Sequence, residues 1–230
     1  MHSFPNSFKP LPLVCTKSPV TSCDRRPDAS HASRLPPTLQ ITDILTPLAP
    51  ESGTTPLAPL TDRARVRIHP ERAEPEQVGT ILRDGLIAHV AIADDAGPVV
   101  IPMTYYVDAD APNSVYIHGA HHSRLMACVA RGQPICVTVT LVDGLVYSRT
   151  ALYHSTNYRS AVCFGRGRVV TDTAEQRRVA EGLVRRYFPG RTAGVDYDPI
   201  PDEHLGATAF VAIDIEEASA KVRRGGQRPA

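Results

Sequence analysis

The sequence predicts a mainly β protein, an antiparallel barrel carrying a few accessory helices. Three observations predict it. Six or seven short segments are rich in Val, Ile and Thr or alternate apolar with polar residues. They are linked by turn signals and not by regular crossover helices, which argues against a doubly wound parallel sheet. No GxGxxG or GxxxxGK[ST] follows a strand, so neither dinucleotide-type nor P-loop phosphate binding is supported.

The elements follow in order. Glu74 to Gly85 places Val78, Ile81 and Leu82 at helical spacing, with Gly85 as a stop. Leu86 to Ala93 is a strand, Asp94 to Gly97 is turn material, and Val99 to Val107 is a second strand. Val115 to His118 is a third. Ser123 to Arg131 reads as a short helix ended by Gly132. Ile135 to Val142 alternates strongly, and Asp143-Gly144 signals a hairpin returning along Leu145 to Ala151. Ser160 to Val170 is a further strand. Thr173 to Phe188 is the clearest helix, with Ala174, Val179, Leu183, Val184 and Phe188 on one side. Ala207 to Ile215 closes the series.

Domain limits follow from composition. Eleven of the 21 prolines fall in the first 60 residues, where no apolar period is sustained beyond the short patch Leu39 to Leu48. Such a segment buries too little surface to offset its ordering entropy. Residues 1–62 are therefore expected to be a disordered extension, 63–225 the folded domain and 226–230 a disordered end. The formal charge is +1, from 25 basic and 24 acidic residues, so no broad field attracts nucleic acid or an anionic membrane. Five cysteines without a CxxC suit a reducing, cytoplasmic setting better than a disulfide framework. No apolar run approaches the roughly 20 residues needed to cross a bilayer.

Three segments carry chemistry. In HGAHHSR (118–124), Gly119 lets the backbone approach a ligand, Ser123 stands where an N-cap belongs, and Arg124 suits a phosphate. A phosphate cradle and an ordinary capped loop both fit this spacing. His118, His121 and His122 do not make a metal site, because no carboxylate or thiolate ligand stands near and no HExxH occurs. HSTNYRS (154–160) packs six polar side chains and a tyrosine ahead of an apolar run. Asn157 and Ser160 suit the edges of a planar heterocycle, Tyr158 its face, and Arg159 a phosphate or ring carbonyl. In IPMTYY (101–106), Pro102 marks an edge, a bulge or a ligand contact, and at most one of Tyr105 and Tyr106 faces a pocket. Cys163 reads as a buried small hydrophobe. Lys221 and Arg223 read as a solvated basic end.

In this order the segments resemble the FMN-binding split barrels of the pyridoxamine 5'-phosphate oxidase-like superfamily, in particular its flavin-nucleotide-binding branch related to the nitroimidazole-resistance proteins. The residues carrying the resemblance are HVAIADDAGPVVIPMTYY (89–106), YIHGAHHSRL (116–125), VTVTLVDGLVYSRTALYHSTNYRSAVCFG (137–165) and EASAKVRRG (217–225). It covers about 65 to 225.

The resemblance implies an antiparallel Greek-key split barrel that pairs as a homodimer, with FMN in the groove between barrels. Ile101, Pro102, Met103 and Thr104 would pass along the ring. His118, Gly119, Ser123 and Arg124 would hold the phosphate side. Asn157, Tyr158, Arg159 and Ser160 would reach ring or phosphate atoms, in part from the second subunit. The implied activity is flavin-dependent oxidation or reduction of a small molecule, with His118 and Tyr105 the nearest acid–base candidates. The alternatives are a non-catalytic flavin, haem or deazaflavin module, and a chain whose flavin site has decayed. Two departures stand out. The sequence lacks the tryptophan-containing tail of similar chains, which implies a missing piece of pocket wall, and Leu125 follows Arg124 where true pyridoxamine phosphate oxidases have an Arg-Lys pair.

Overall fold

In the computed structural model, residues 61–226 are described; the expectations for residues 1–60 and 227–230 lie outside them. The seven strands are β1 (Ala88–Asp94), β2 (Gly97–Met103), β3 (Tyr106–Val107), β4 (Ser114–Gly119), β5 (Pro134–Val146), β6 (Ser155–Val169) and β7 (Ala209–Arg223). They form one sheet in the order β2-β1-β5-β6-β7-β4-β3, and every pair is antiparallel. The helices are α1 (Val78–Asp84), α2 (Arg124–Ala130), α3 (Thr173–Tyr187) and α4 (Asp202–Leu205). The mainly β, antiparallel expectation holds.

The sheet curls on itself. A Cβ on Gly119, near one edge, would lie 3.8 Å from Cε of Met103 on the opposite edge strand. The interior is filled from both halves by Val90, Val137, Cys163, Val115, Ile117 and Ile213, and α1 closes one end with Ile81 and Leu82. Each such side chain contributes roughly 1.5–3 kcal/mol on burial. A second cluster lies on the other face of β4 and β7, where Tyr116, Phe210 and Ala212 meet Val179 and Ala180 of α3 and Leu205 of α4. Strand β7 is therefore covered on both faces over Ala209–Ile213, which explains its unbroken apolar run AFVAI.

Five expectations need correction. Val99 to Val107 is not one strand: it breaks at Thr104–Tyr105 into β2 and β3, which lie at opposite edges of the sheet. Asp143-Gly144 makes no hairpin: β5 runs through it, and the register against β6 shifts between Val142 and Gly144. A two-residue hairpin of the Asp-Gly type needs positive φ, and Gly144 is not among the glycines that have it. The reversal comes later, over residues 147–154. Strand β6 consequently starts at Ser155, so the NYRS segment lies within a strand and not at its mouth. Strand β7 continues to Arg223, so Lys221 and Arg223 sit in the sheet and not in a solvated end. On α3, Ala174 and Phe188 are exposed, and the buried positions are Val179, Ala180 and Gly182. The Asp94–Gly97 turn is as expected, with Gly97 at φ 99°, and so are the Ser123 cap and Gly132 at φ 63°.

No helix among the described residues is long and apolar enough to cross a membrane.

Candidate functional site

The segment 101–104 and the segment 118–124 lie side by side. Strand β2 is at the sheet edge, where the N–H that Pro102 lacks is dispensable. Ile101 and Met103 pack partly against the core, while Pro102 and Thr104 are exposed. Met103 meets Gly119 at one end of β2. At the other end Arg124 forks onto Asp94, Nε to Oδ2 at 2.8 Å and Nη2 to Oδ1 at 2.6 Å, and also donates to the Gly97 carbonyl at 3.2 Å. This hydrogen-bonded guanidinium holds the Asp94 carboxyl below the usual carboxylate range. Arg124 thus fastens the start of α2 to the β1–β2 turn, and an incoming anion would have to share its fork with a carboxylate. Ser123 caps α2, its hydroxyl accepting from the Met126 amide at 3.3 Å.

His118 alternates with Ile117 and Gly119 and so turns to the opposite face. It lies against Phe210, its register partner on β7, with ring centroids 6.2 Å apart. Its Nδ1 is buried and has no hydrogen-bond partner among the described residues. His121 meets the Gly206 carbonyl at 2.9 Å. Among the described residues no three His, Cys, Asp or Glu side chains gather at metal-binding distance.

The NYRS residues divide by strand alternation. Ala161 and Cys163 mark the inner face of β6, so Asn157 and Arg159 belong to that side and Tyr158 and Ser160 to the other. Asn157 donates through Nδ2 to the Gly225 carbonyl at 3.1 Å, and its Oδ1 accepts from the Gly225 amide at 3.0 Å and from Arg223 at 2.6 Å. Arg159 donates to Asp84 at the end of α1 at 2.6 Å and to Asp143 of β5 at 3.1 Å. Both are engaged within the chain. Ser160 donates weakly to the Lys221 carbonyl at 3.3 Å, and Tyr158 makes no recorded side-chain bond among the described residues.

One chain does not bring the two polar segments together. His118 pairs with Phe210, at the start of β7, and Ser160 pairs with Lys221, near its end. The eleven-residue separation is about 36 Å of strand at ~3.3 Å per residue.

Tyr105 is no acid–base candidate. Its side chain is sealed in the core, its hydroxyl donates to the Leu82 carbonyl at 2.6 Å, and burial drives its pKa well above the ordinary tyrosine value. It is the core member of the Tyr105–Tyr106 pair. Burial likewise pushes the Cys163 thiol up to about 12, which agrees with its reading as a small hydrophobe.

Sequence reasoning missed Asp84, Asp143 and Glu217. Their partners lie 16 to 156 residues away, and no local pattern signals them. Glu217, a buried carboxylate on β7, receives the Thr61 amide at 3.0 Å and Arg63 Nε at 3.1 Å. It anchors residues 61–68 as a strap across the outer face of β6 and β7.

The family described as pyridoxamine 5'-phosphate oxidase matches residues 74–222. The flavocytochrome Anf3 of Azotobacter vinelandii is 32% identical over 72% of this chain and 76% of its own, with a TM-score of 0.64. An FAD and haem binding protein of Mycobacterium smegmatis is 29% identical over 69% of this chain and 77% of its own, at 0.61. A proposed 5-nitroimidazole antibiotic resistance protein of Bacteroides thetaiotaomicron, 21% identical over 65% of this chain and 84% of its own, shares the fold at 0.54. No curated protein matches the sequence. Matched through the strands that carry both polar segments, the chain belongs to the pyridoxamine 5'-phosphate oxidase family.

Proposed function

We propose that the chain binds a flavin, FMN, between the barrels of a homodimer and uses it as an oxidoreductase acting on a small molecule. One observation carries the reading. The two polar segments stand at opposite ends of β7, so a shared site needs the 118–124 segment of one copy and the 158–160 face of another. The part of the outer face that the 61–68 strap leaves uncovered supports the pairing. Val100 and Val142 are 57% and 68% exposed there, and Tyr147 and Leu152 on the adjoining loop are 69% and 82% exposed. Apolar surface of this kind marks an interaction site. The names of two relatives, a flavocytochrome and an FAD and haem binding protein, support the flavin.

When bound, the flavin supplies the hydride or electron chemistry. The chain supplies position. Ile101 to Thr104 would present an edge-strand backbone to the ring, the capped turn at Ser123 would face the phosphate, and Tyr158 would close over it from the partner. These groups fit a flavin in their chemistry, hydroxyls and backbone along an apolar edge. A cytoplasmic setting belongs to the same proposal, with Cys128, Cys136 and Cys163 all free thiols.

The visible spectrum and the size of the purified protein test the reading. A dimer with flavin absorbance, reduced by a nicotinamide cofactor and reoxidised by a nitro or quinone acceptor, is expected, and extraction identifies FMN or FAD. A monomer that neither carries nor takes up flavin ends it. A second reading, a haem-binding module without turnover, is favoured by the buried Nδ1 of His118, which has no partner among the described residues. It requires a Soret band on haem addition that His118→Ala removes.

A further inference from the structure

The strap leaves a groove between itself and the sheet. It is pinned at one end by Glu217, through Thr61 and Arg63, and at the other by Lys221, whose Nζ donates to the Ile68 carbonyl at 2.7 Å. Between the pins lies a space of about 510 Å³, lined by Arg65, Arg67, Ser160, Val162, Ser219 and Lys221 among others. Organic ligands occupy pockets of roughly 300–1,000 Å³.

The charges here are unequally matched. Arg63 is satisfied by Glu217 and Glu216, and Arg65 by Asp62 at 3.4 Å. Arg67 donates only to the Asp62 carbonyl, at 3.2 Å, and neither it nor Lys221 meets a carboxylate among the described residues. Each keeps free donors, since a guanidinium has five N–H groups and an ammonium three. Ser219, only 8% exposed, makes no side-chain hydrogen bond among the described residues, and its register partner Val162 places it in the groove. Its hydroxyl is not sealed from solvent, so it is free to donate to a ligand in the groove.

We propose that this groove binds the phosphate of a nucleotide-sized organic anion, with Arg67, Lys221 and Ser219 as its donors. A guanidinium and an ammonium beside a hydroxyl suit phosphate oxygens. The phosphate is that of a second nucleotide, since the flavin phosphate is assigned to the Ser123 turn. The site goes beyond the flavin reading and stands without it.

Calorimetric titration of the full chain tests it, with ADP as probe and adenosine as the phosphate-free control. ADP is expected to bind and adenosine not to. Arg67→Ala and Lys221→Ala should each weaken ADP roughly tenfold or more, and Lys221→Arg should retain most of the affinity, which guards against a folding defect. Riboflavin and FMN separate this site from the flavin's. FMN and ADP are expected to bind together; if FMN competes with ADP and weakens in the same variants while riboflavin does neither, the groove is the flavin's own phosphate site and the proposal is overturned. Flavin uptake by a protein that gives no heat with ADP, with FMN affinity unchanged in both alanine variants, overturns the proposal and leaves the flavin reading intact. ADP binding without flavin uptake does the reverse.

Discussion

Asn157 and Gly225 hold each other in both directions: the Asn157 amide donates to the Gly225 carbonyl at 3.1 Å, and the Gly225 amide donates back to Oδ1 at 3.0 Å. The same Oδ1 takes Arg223. The asparagine of NYRS therefore steers the chain beyond β7. Asn157→Ala should free residues 224–226 and cost about 1–3 kcal/mol, the range for stranding part-buried partners. Denaturant unfolding gives the stability, and limited proteolysis should show earlier cleavage at Arg223 or Arg224. Unchanged cleavage would deny the latch.

Division of NYRS by face separates binding from folding. Arg159 pairs with Asp84 and Asp143 on the inner side, while Tyr158 and Ser160 lie on the outer side, Ser160 beside the 61–68 strap and Tyr158 toward the proposed dimer groove. Arg159→Ala should lower stability by roughly 1–2 kcal/mol, discounted for the partial exposure of all three groups, and leave flavin affinity within a few-fold. Tyr158→Ala should weaken flavin by about tenfold, or ~1.4 kcal/mol, at nearly unchanged stability. Flavin titration beside thermal melting distinguishes the two, and the opposite pattern would reverse the assignment.

Gly165 stands at the irregularity where β6 and β7 change register, between Phe164 and Gly165. A Cβ there would lie 2.0 Å from the Asp214 carbonyl oxygen, which is backbone and cannot swing aside. Gly165→Ala should destabilise by more than about 3 kcal/mol, at the top of the range for overpacking. Its soluble yield and unfolding midpoint should fall far below those of Gly144→Ala, where a Cβ meets nothing within 4 Å.

Acid should loosen the α3 side of the sheet. Arg168, hydrogen-bonded to Glu175, holds that carboxyl below its ordinary value of 4.5, with Tyr116 donating to the same group at 3.0 Å. A depressed folded pKa stabilises fully above the unfolded value and is lost as pH falls through the folded one. Urea midpoints measured from pH 7 down to pH 3 should therefore drop below about pH 4.5, and less steeply in Glu175→Gln. Parallel curves would show that this carboxylate carries none of the acid sensitivity.

The antiparallel barrel, most of its strands and the β1–β2 turn were legible in the sequence, because alternation and turn residues act between neighbours. So was the cap of α2, where Ser123 meets an amide three residues on. Asp143-Gly144 misled, because a dipeptide suited to a hairpin also suits a bulge, and only the pairing with β6 decides which forms. Polar residues of the site were legible as types but not as roles. Arg124 turned to Asp94, Arg159 to Asp84 and Asn157 to Gly225, partners 30, 75 and 68 residues away. Hydrogen bonds and ion pairs are short-ranged, so their partners are set by which strands the folded sheet lays side by side, and no local pattern encodes that.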